Sequence, residues 1–484
     1  MKVWTLVLLA LFSVFALPSN AQTCSATVTT NKLICALPQL FGPGGLTLPN
    51  PKHEAHFEGS SLQGFLAPLN TEIGLELSTL PLGSSGSGIS FSFDKEHHPV
   101  STEDTLGPIL TERAAVIGKK KVDLGVAYQY FSFSQVDGLD LHKLNSVFQH
   151  AVNPGATRQK YENDYINTSS SVNIALNQTV FYAVFGVSKG LDVSAQVPIG
   201  SLHLRLASNA NIVRTQPCEN TQNQDPTAPN YRGGDCVGAS FDPSNAAVCG
   251  EFHYFTTSAS CSDIFNSTSK VFTGGGDVTG IGDVILRAKY ELINHEKLAG
   301  SVGMSFRLPT GDVNKLLGSG AVGLEPFGAL TYRSRWSPHV RLGYQWNGKT
   351  LLGSNGYSQI AIDPVTDLPE VATPVSKSSL PPELLYSAGF DLGVTKRLTV
   401  AADFIGARIL SAPRLVSSVY PDFFGNSVPN TTSLTADYSS DSIAVGGKIR
   451  LYRELVLIAN ATIRVDDGGL RANVVPLVGL SWSK

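Results

Sequence analysis

Few residues of this 484-residue chain have the type and spacing that chemistry requires. His53 and His56 lie in a His-Glu-Ala-His run beside Pro51. A zinc-binding pair on a helix needs histidines four residues apart, and these are three apart. The glycine-rich run at 274–277 lacks the Gly-Lys-Ser or Gly-Lys-Thr that completes a phosphate cradle. We therefore expect no catalytic residue, no cofactor and no metal ion, and we predict that the protein is not an enzyme.

All six cysteines follow a segment, residues 1–21, that has the features of a secretory signal peptide. Lys2 supplies its positive charge, residues 3–17 supply its apolar core, and Ala21 is the small residue before the cleavage site. An even number of cysteines in an exported chain favours disulfides, and the absence of a Cys-x-x-Cys spacing disfavours zinc. We predict a bond between Cys24 and Cys35. The other four could pair in three ways: Cys218, Cys236, Cys249 and Cys261.

A further group of candidate functional residues consists of charges that alternate with apolar residues along the chain. We predict that they line the lumen of a barrel, where they form a structural network of ion pairs, select solutes, or do both. They are Asp283, Arg287, Lys289, Arg307, Glu325, Arg333, Arg341, Asp391, Asp403, Lys448 and Arg450.

The alternation itself indicates β-strands. In residues 338–347, Val340, Leu342, Tyr344 and Trp346 share one face, while polar residues occupy most of the other. Twelve segments of this kind follow residue 121, and most have 9–12 residues, which suits a tilted strand that crosses a bilayer. They are 122–133, 172–187, 191–199, 281–292, 297–308, 322–333, 338–347, 383–394, 397–408, 441–451, 454–464 and 474–484.

The connections between these segments alternate strictly between short and long. Five of them contain two to four residues, and the longest of the others is 200–280. Outer-membrane barrels have short periplasmic turns and longer external loops. The chain is therefore predicted to form an all-β, antiparallel up-and-down transmembrane barrel at 122–484, with 200–280 as a long external loop. A soluble β-sandwich is the rival architecture, because it would share the period but turn its apolar faces inward.

The composition agrees with a membrane barrel. Only 15% of the residues are charged and the mean hydropathy is +0.04, yet no apolar run after residue 21 is long enough for a transmembrane helix. The net charge of −3 gives no indication of nucleic-acid binding. We predict that the protein resides in the outer membrane of a Gram-negative bacterium. Its expected partners are outer-membrane lipid, a small hydrophobic solute and the barrel-insertion machinery.

Residues 22–121 lack the regular alternation of the rest. Segments 73–77 and 89–93 alternate over only five residues each, which is too short to span a membrane. The region could form a periplasmic cap, a plug inside the lumen, or one more pair of strands that would raise the count to fourteen. We favour a plug or a cap.

Several short motifs resemble those of a known family. Residues 279–290 read Thr-Gly-Ile-Gly-Asp-Val-Ile-Leu-Arg-Ala-Lys-Tyr, and they are followed by Leu-Pro-Thr-Gly-Asp at 308–312 and Leu-Gly-Ser-Gly at 317–320. This pattern resembles the outer-membrane family of phenol meta-pathway transporters, whose members are thought to be barrels that pass small hydrophobic or aromatic compounds. The region around Gly118 and Lys119 and the N-terminal cysteine pair also resemble barrels of soil acidobacteria.

The resemblance implies a channel for small, hydrophobic or aromatic solutes. Twelve strands enclose a lumen much narrower than that of porins with about 16–18 strands, so we expect slow, saturable uptake through a plugged barrel. The alternative is a structural or adhesive barrel that acts through its external loops. Apolar residues on the predicted inner face could form the solute path: Phe131, Phe181, Phe185, Ile285, Phe327, Leu385 and Ile405.

Overall fold

The structure is a computed structural model, and it describes most of the chain after residue 31. The described residues are 32–42, 45–50, 53–54, 56–61, 65–78, 80, 91–93, 99–101, 105–151, 163–215, 252–258, 260–352, 377–452 and 454–484. The predicted signal peptide at 1–21 lies outside them, as do Cys24, Cys218, Cys236 and Cys249. In the described part of the chain, no helix is both long and apolar enough to span a membrane.

Twelve antiparallel strands form a closed ring. They are β1 (Val122–Val136), β2 (Tyr165–Gly186), β3 (Leu191–Val213), β4 (Val284–Asn294), β5 (Leu298–Leu308), β6 (Gly323–Tyr332), β7 (Trp336–Asn347), β8 (Glu383–Thr395), β9 (Leu398–Pro421), β10 (Ser427–Tyr452), β11 (Leu455–Arg464) and β12 (Val474–Ser483). Each strand pairs with the next, and β1 also pairs with β12, which closes the ring. The predicted barrel and its count of twelve strands are confirmed.

The other described elements are short. Four further strands extend the sheet beyond the ring: Leu139–Asp140, Leu144–Gln149, Ser269–Ile281 and Leu470–Ala472. Two small sheets are separate from it, one of Phe91–Phe93 with Pro99–Ser101 and one of Lys349–Thr350 with Ser378–Ser379. The helices are α1 (Glu58–Ser61), α2 (Ala67–Ser78) and α3 (Cys261–Asn266), with 3-10 turns at Leu33–Cys35 and Val313–Lys315.

The apolar faces of the strands point outward. On β12, Val474 and Val478 are exposed while their neighbours Val475 and Leu477 are buried, and this period of two continues along the whole strand. Leu342 on β7 is 58% exposed. Lipid offers no hydrogen-bond partner to the backbone, so a sheet in a bilayer must close on itself and turn its apolar side chains outward. The outward apolar face distinguishes the barrel from the rival β-sandwich.

One end of the barrel carries the tight turns and the other carries long extensions. We call the end where β1 begins and β12 ends the inner end, since outer-membrane barrels keep their short turns on the periplasmic side. At the outer end, β9 and β10 form a hairpin that turns only at residues 422–426. Strands of 24 and 26 residues are more than twice as long as a membrane crossing requires, so this hairpin projects beyond the bilayer.

Two predicted loops include long extensions of the neighbouring strands. The predicted external loop 200–280 includes the outer part of β3 up to Val213 and the strand Ser269–Ile281 that pairs with it, so the connection itself spans 214–268. The predicted loop at 409–440 is mostly the hairpin of β9 and β10. The predicted strands end too early because the alternation of apolar and polar residues stops at the bilayer surface, whereas the hydrogen-bonded pairing of the strands continues beyond it.

The N-terminal segment contributes the largest apolar core of the described chain, in the outer half of the barrel. Leu33, Phe57 and Phe65 are at most 1% exposed, and they belong to one cluster with inward-facing barrel residues such as Phe133 and Leu204. Complete burial of a large apolar side chain stabilises a fold by about 1.5–3 kcal/mol. This packing occupies part of the lumen in the outer half of the barrel.

Residues 73–77 belong to helix α2, so the interpretation of this segment as a possible strand was wrong. Leu69, Ile73 and Leu77 recur every four residues and are all buried. Both periods fit the same few residues, because Leu75 is also apolar. The segment forms a helix and not a strand because α2 packs inside the barrel, where protein surrounds it.

A second part of the N-terminal segment, residues 105–117, crosses the inner half of the lumen. The backbone N–H groups of Leu106 and Ala114 donate to the hydroxyls of Thr399 and Thr331, at 2.8 and 3.0 Å. The N–H of Ile117 donates to Asp192 at 2.7 Å. Because these acceptors lie on three separate strands close to the short turns, the segment is tied to opposite parts of the inner barrel wall.

Candidate functional site

A cavity of about 280 Å³ lies in the lumen between the two parts of the N-terminal segment. Glu76, Leu77 and Leu80, at and just beyond the end of α2, form part of its lining, and Leu110 and Glu112 of the inner part form another. The barrel wall supplies the remainder. Five of the charges predicted to line the lumen contribute to it: Asp283, Arg287, Arg307, Glu325 and Arg341.

Glu112 anchors the inner part of the segment to β4. One of its carboxylate oxygens accepts from Arg287 at 2.5 Å and the other accepts from Lys289 at 2.8 Å. The Lys289 ammonium also donates to the backbone carbonyls of Arg113 and Ala115, at 2.8 and 3.0 Å. All three donors of the ammonium thus reach protein acceptors, so Lys289 holds the segment and its side chain is only 5% exposed.

A second buried network surrounds Arg113. Its guanidinium donates to the Thr105 hydroxyl at 2.7 Å and lies 3.5 Å from Asp391. His339 lies between two carboxylates, with Nε2 2.8 Å from Asp403 and Nδ1 3.3 Å from Asp391. The sequence analysis did not single out His339, because a histidine in a strand gives no local sign of such partners. The network joins the segment to β7, β8 and β9.

The wall charges around the cavity are matched in pairs. Arg341 donates to Glu325, and its guanidinium lies 4.7 Å from the centre of the Phe327 ring. Asp283 accepts from the backbone N–H groups of Gly311 and Ser319, at 3.0 and 2.8 Å. Acidic and basic side chains are nearly equal in number in the lining, so the wall has little net charge to attract an ion.

The other charges predicted to line the lumen occupy different places. Lys289, Asp391 and Asp403 are buried against residues 105–117, as described, and Lys448 is 2% exposed. Arg333 pairs with Glu291 at 2.7 Å, beside the short turn that follows β6. Arg450 lies near the short turn that follows β10, where its backbone N–H donates to the carbonyl of Arg397.

Five of the seven apolar residues predicted to face inward do so. Phe131 and Phe327 are buried, and Ile285, Leu385 and Ile405 line the cavity. The prediction is wrong for Phe181 and Phe185, because their side chains are 47% and 46% exposed on the outer surface. The residues 180–185 are all apolar or aromatic, so their sequence shows no contrast between faces. The inward residues of this stretch are Val180, Tyr182 and Val184, all at most 6% exposed.

One motif that fits a hydrolase spacing was not identified from the sequence. Gly186, Ser188 and Gly190 have the Gly-x-Ser-x-Gly spacing, which in α/β-hydrolases forms a strained turn from a strand into a helix. Here residues 187–190 form the short turn between β2 and β3, and the Ser188 hydroxyl accepts from the Gly190 N–H at 3.3 Å. The Gly-x-Ser-x-Gly spacing is therefore explained by the tight hairpin turn, and Ser188 need not act as a nucleophile.

Cys24 lies outside the described residues, so the bond between Cys24 and Cys35 stays a prediction. Cys261 begins helix α3, and its three predicted partners also lie outside the described residues.

A separate cluster of polar side chains lies at the outer end of the barrel. The ligand atoms of His53, His56, His150 and His253 all lie within 4.8 Å of one another. The expectation that His53 and His56 take no part in a metal site considered only their mutual spacing. The other two histidines are distant in the sequence, and only the fold brings all four together.

The chain matches one family model and is similar to several solved structures. Residues 245–361 match the family model described as "Putative MetA-pathway of phenol degradation", which confirms the resemblance seen in the sequence. A search of curated protein sequences found no match. The chain is similar to the COG4313 outer membrane channel from Pseudomonas putida F1, with 9% identity, coverage of 77% of this chain and 99% of that chain, and a TM-score of 0.41.

Two other barrels are also similar in structure. The NanC porin has 8% identity, coverage of 75% of this chain and 98% of that chain, and a TM-score of 0.33. A FadL homologue from Pseudomonas aeruginosa has 11% identity, coverage of 76% and 90%, and a TM-score of 0.29. The closed ring and its apolar outer surface make this chain an outer-membrane barrel.

Proposed function

We propose that the barrel carries small, mainly apolar or aromatic solutes across the outer membrane by way of the cavity between α2 and residues 105–117. The observation that carries this proposal is the cavity itself, which is lined by both parts of the N-terminal segment and by the barrel wall. An open porin would instead have a continuous aqueous channel along its axis.

The lining of the cavity suits a neutral solute better than an ion. Apolar side chains from the segment and the wall face it, including Leu77, Leu110, Ile285, Leu385 and Ile405. The charges between them hydrogen-bond to one another or to the backbone, so an ion would have to compete for partners that are already engaged. A solute with an apolar body and one polar group could contact both kinds of surface.

The size of the cavity limits the solute. An apolar cavity of about 150 Å³ binds benzene, so a volume of about 280 Å³ has room for a single substituted aromatic ring. The family description, which names phenol degradation, supports the same class of compound. Both parts of the N-terminal segment line the cavity and narrow the lumen beside it, so we expect uptake to be slow and saturable.

The test combines planar-bilayer recording with uptake of radiolabelled phenol into cells that contain or lack the protein. Leu385→Trp should fill the cavity and lower the saturable uptake, while the matched variant Leu342→Trp on the lipid face should leave it unchanged. A large steady conductance with no effect on phenol uptake would contradict the proposal in favour of a general porin. Equal uptake by both tryptophan variants would also contradict it.

A second candidate function is adhesion through the outer hairpin of β9 and β10. Val419 is 65% exposed near the tip of this hairpin, and Phe423 and Phe424 are 38% and 41% exposed in its turn. Exposed apolar groups beyond the bilayer are typical of contact surfaces. Replacement of all three by serine should abolish attachment of cells to hydrophobic surfaces if this candidate is right, and should leave phenol uptake unchanged.

A further inference from the structure

The four clustered histidines come from three separate parts of the chain. His53 and His56 belong to the N-terminal segment, His150 follows the strand Leu144–Gln149, and His253 lies in the connection between β3 and the strand Ser269–Ile281. Their ligand atoms are within 4.8 Å of one another. The ring centroids of His56 and His150 are 4.2 Å apart, and those of His53 and His253 are 4.5 Å apart.

His253 is held in one orientation by a buried carboxylate. Its Nδ1 lies 2.8 Å from one oxygen of Asp164, and both side chains are completely buried. The other oxygen of Asp164 accepts from the N–H and the hydroxyl of Thr215, at 2.7 and 3.0 Å. A carboxylate that accepts from Nδ1–H leaves the lone pair of the imidazole on Nε2, and carboxylate–histidine pairs of this kind commonly orient metal ligands.

His150 has the same tautomer for a similar reason. Its Nδ1 lies 2.6 Å from the carbonyl oxygen of Ala151, which can only accept, so the lone pair is on Nε2. The N–H of Ala151 in turn donates to the carbonyl oxygen of His56 at 2.7 Å. The backbone thus fixes His150 and His56 next to each other before any ligand binds.

The spacing of the nitrogens matches a metal site. The Nδ1 atoms of His53 and His56 are 3.1 Å apart. In a tetrahedral zinc site with bonds of about 2.0–2.1 Å, neighbouring nitrogens lie about 3.3 Å apart. The other ligand atoms, all within 4.8 Å of one another, would move closer together around a bound ion.

An aromatic ring packs against the cluster. Phe57 is fully buried, and its ring contacts those of His150 and His253 edge-on, with centroids 5.5 and 5.1 Å away.

We propose that His53, His56, His150 and His253 bind one divalent ion of a late first-row transition metal, such as Zn²⁺, and that this ion fastens the N-terminal segment to the outer connections of the barrel. Four nitrogen donors suit zinc, copper or nickel, whereas calcium and magnesium require oxygen ligands. The proposal does not depend on the solute: the site lies beyond the bilayer and shares no residue with the lining of the lumen cavity.

The test uses untagged full-length protein in detergent, stripped with a chelator and titrated with ZnCl2 by calorimetry. We expect one Zn²⁺ per chain, no binding of Mg²⁺, and a higher unfolding temperature with zinc. Co²⁺ should give the visible absorption of a tetrahedral nitrogen site. Less than a tenth of an equivalent of bound zinc in the stripped protein would overturn the proposal.

Variants identify the ligands. His56→Ala and His150→Ala should each abolish or strongly weaken binding. Asp164→Asn removes the carboxylate that orients His253 and should weaken binding about 10–100-fold. The matched control is His203→Ala, because His203 is exposed on β3 and pairs with Asp277 at 2.8 Å. Heat-modifiable migration in gels verifies that each variant is folded. Zinc binding that survives in the folded His56→Ala and His150→Ala variants would overturn the assignment.

Discussion

The carboxylate of Glu112 accepts a hydrogen bond of 2.8 Å from the Lys289 ammonium, 177 positions along the chain, inside the lumen. This contact joins a segment outside the strand ring to the barrel wall. Because both side chains are at most 5% exposed, neither can be rehydrated without movement of the segment. The pair is thus a point at which the segment is fastened to the barrel wall.

We expect Glu112→Gln to loosen the inner part of the segment. Removal of one partner of a buried ion pair costs about 3–5 kcal/mol, because the remaining charge lacks compensation. Lys289 and Arg287 would be left with a neutral amide, and the segment would dissociate more often. Planar-bilayer recordings should show larger and more frequent conductance steps. The matched control is Glu296→Gln in the exposed turn between β4 and β5, which should behave like the native protein.

Leu342→Arg places a charge on the lipid-facing surface. We expect it to lower the free energy of unfolding by about 2–4 kcal/mol if the residue lies near the bilayer midplane, because Leu342 is among the most exposed apolar residues of β7. Leu342→Phe at the same position should be nearly neutral. Urea unfolding of the protein in lipid vesicles measures the difference, and equal stability of the two variants would invert the assignment of faces.

Substitutions of Arg341 and Glu325 should have non-additive effects on the free energy of unfolding. Their side chains are 12% and 7% exposed, so Arg341→Leu or Glu325→Leu alone should destabilise the barrel by about 3–5 kcal/mol. The double variant should cost less than the sum, because it leaves no unpaired charge in the lumen. A double-mutant cycle by urea unfolding tests this coupling, and strictly additive effects would show that the pair contributes little.

The orientation of the barrel predicts a pattern of surface labelling. A cysteine placed at Phe424, in the turn of the outer hairpin, should react on intact cells with a maleimide that cannot cross the membrane. A cysteine at Lys396, in the short turn between β8 and β9, should react only after the outer membrane is permeabilised. Labelling of both positions on intact cells, or of Lys396 alone, would contradict the assignment of the inner and outer ends.

The sequence by itself determined the membrane-spanning wall. Side chains on a strand alternate between two faces, and lipid requires one of those faces to be apolar. The sequence of each membrane-spanning strand therefore shows this alternation, with lipid-facing residues such as Val474, Val478 and Leu342. The alternation of short and long connections then gave the number of strands and their direction. Where the local contrast was missing, as at Phe181 and Tyr182, the sequence could not distinguish the faces.

Only the tertiary structure decided what fills the barrel and what lies at its outer end. The helix at 67–78, the contacts of Glu112 and Lys289, and the meeting of His53 with His150 and His253 depend on residues far apart in the chain. Strand periodicity arises from neighbours along the backbone and can be read locally. Packing inside the lumen arises from the closure of the ring, which brings distant residues together and leaves no periodic trace in the sequence.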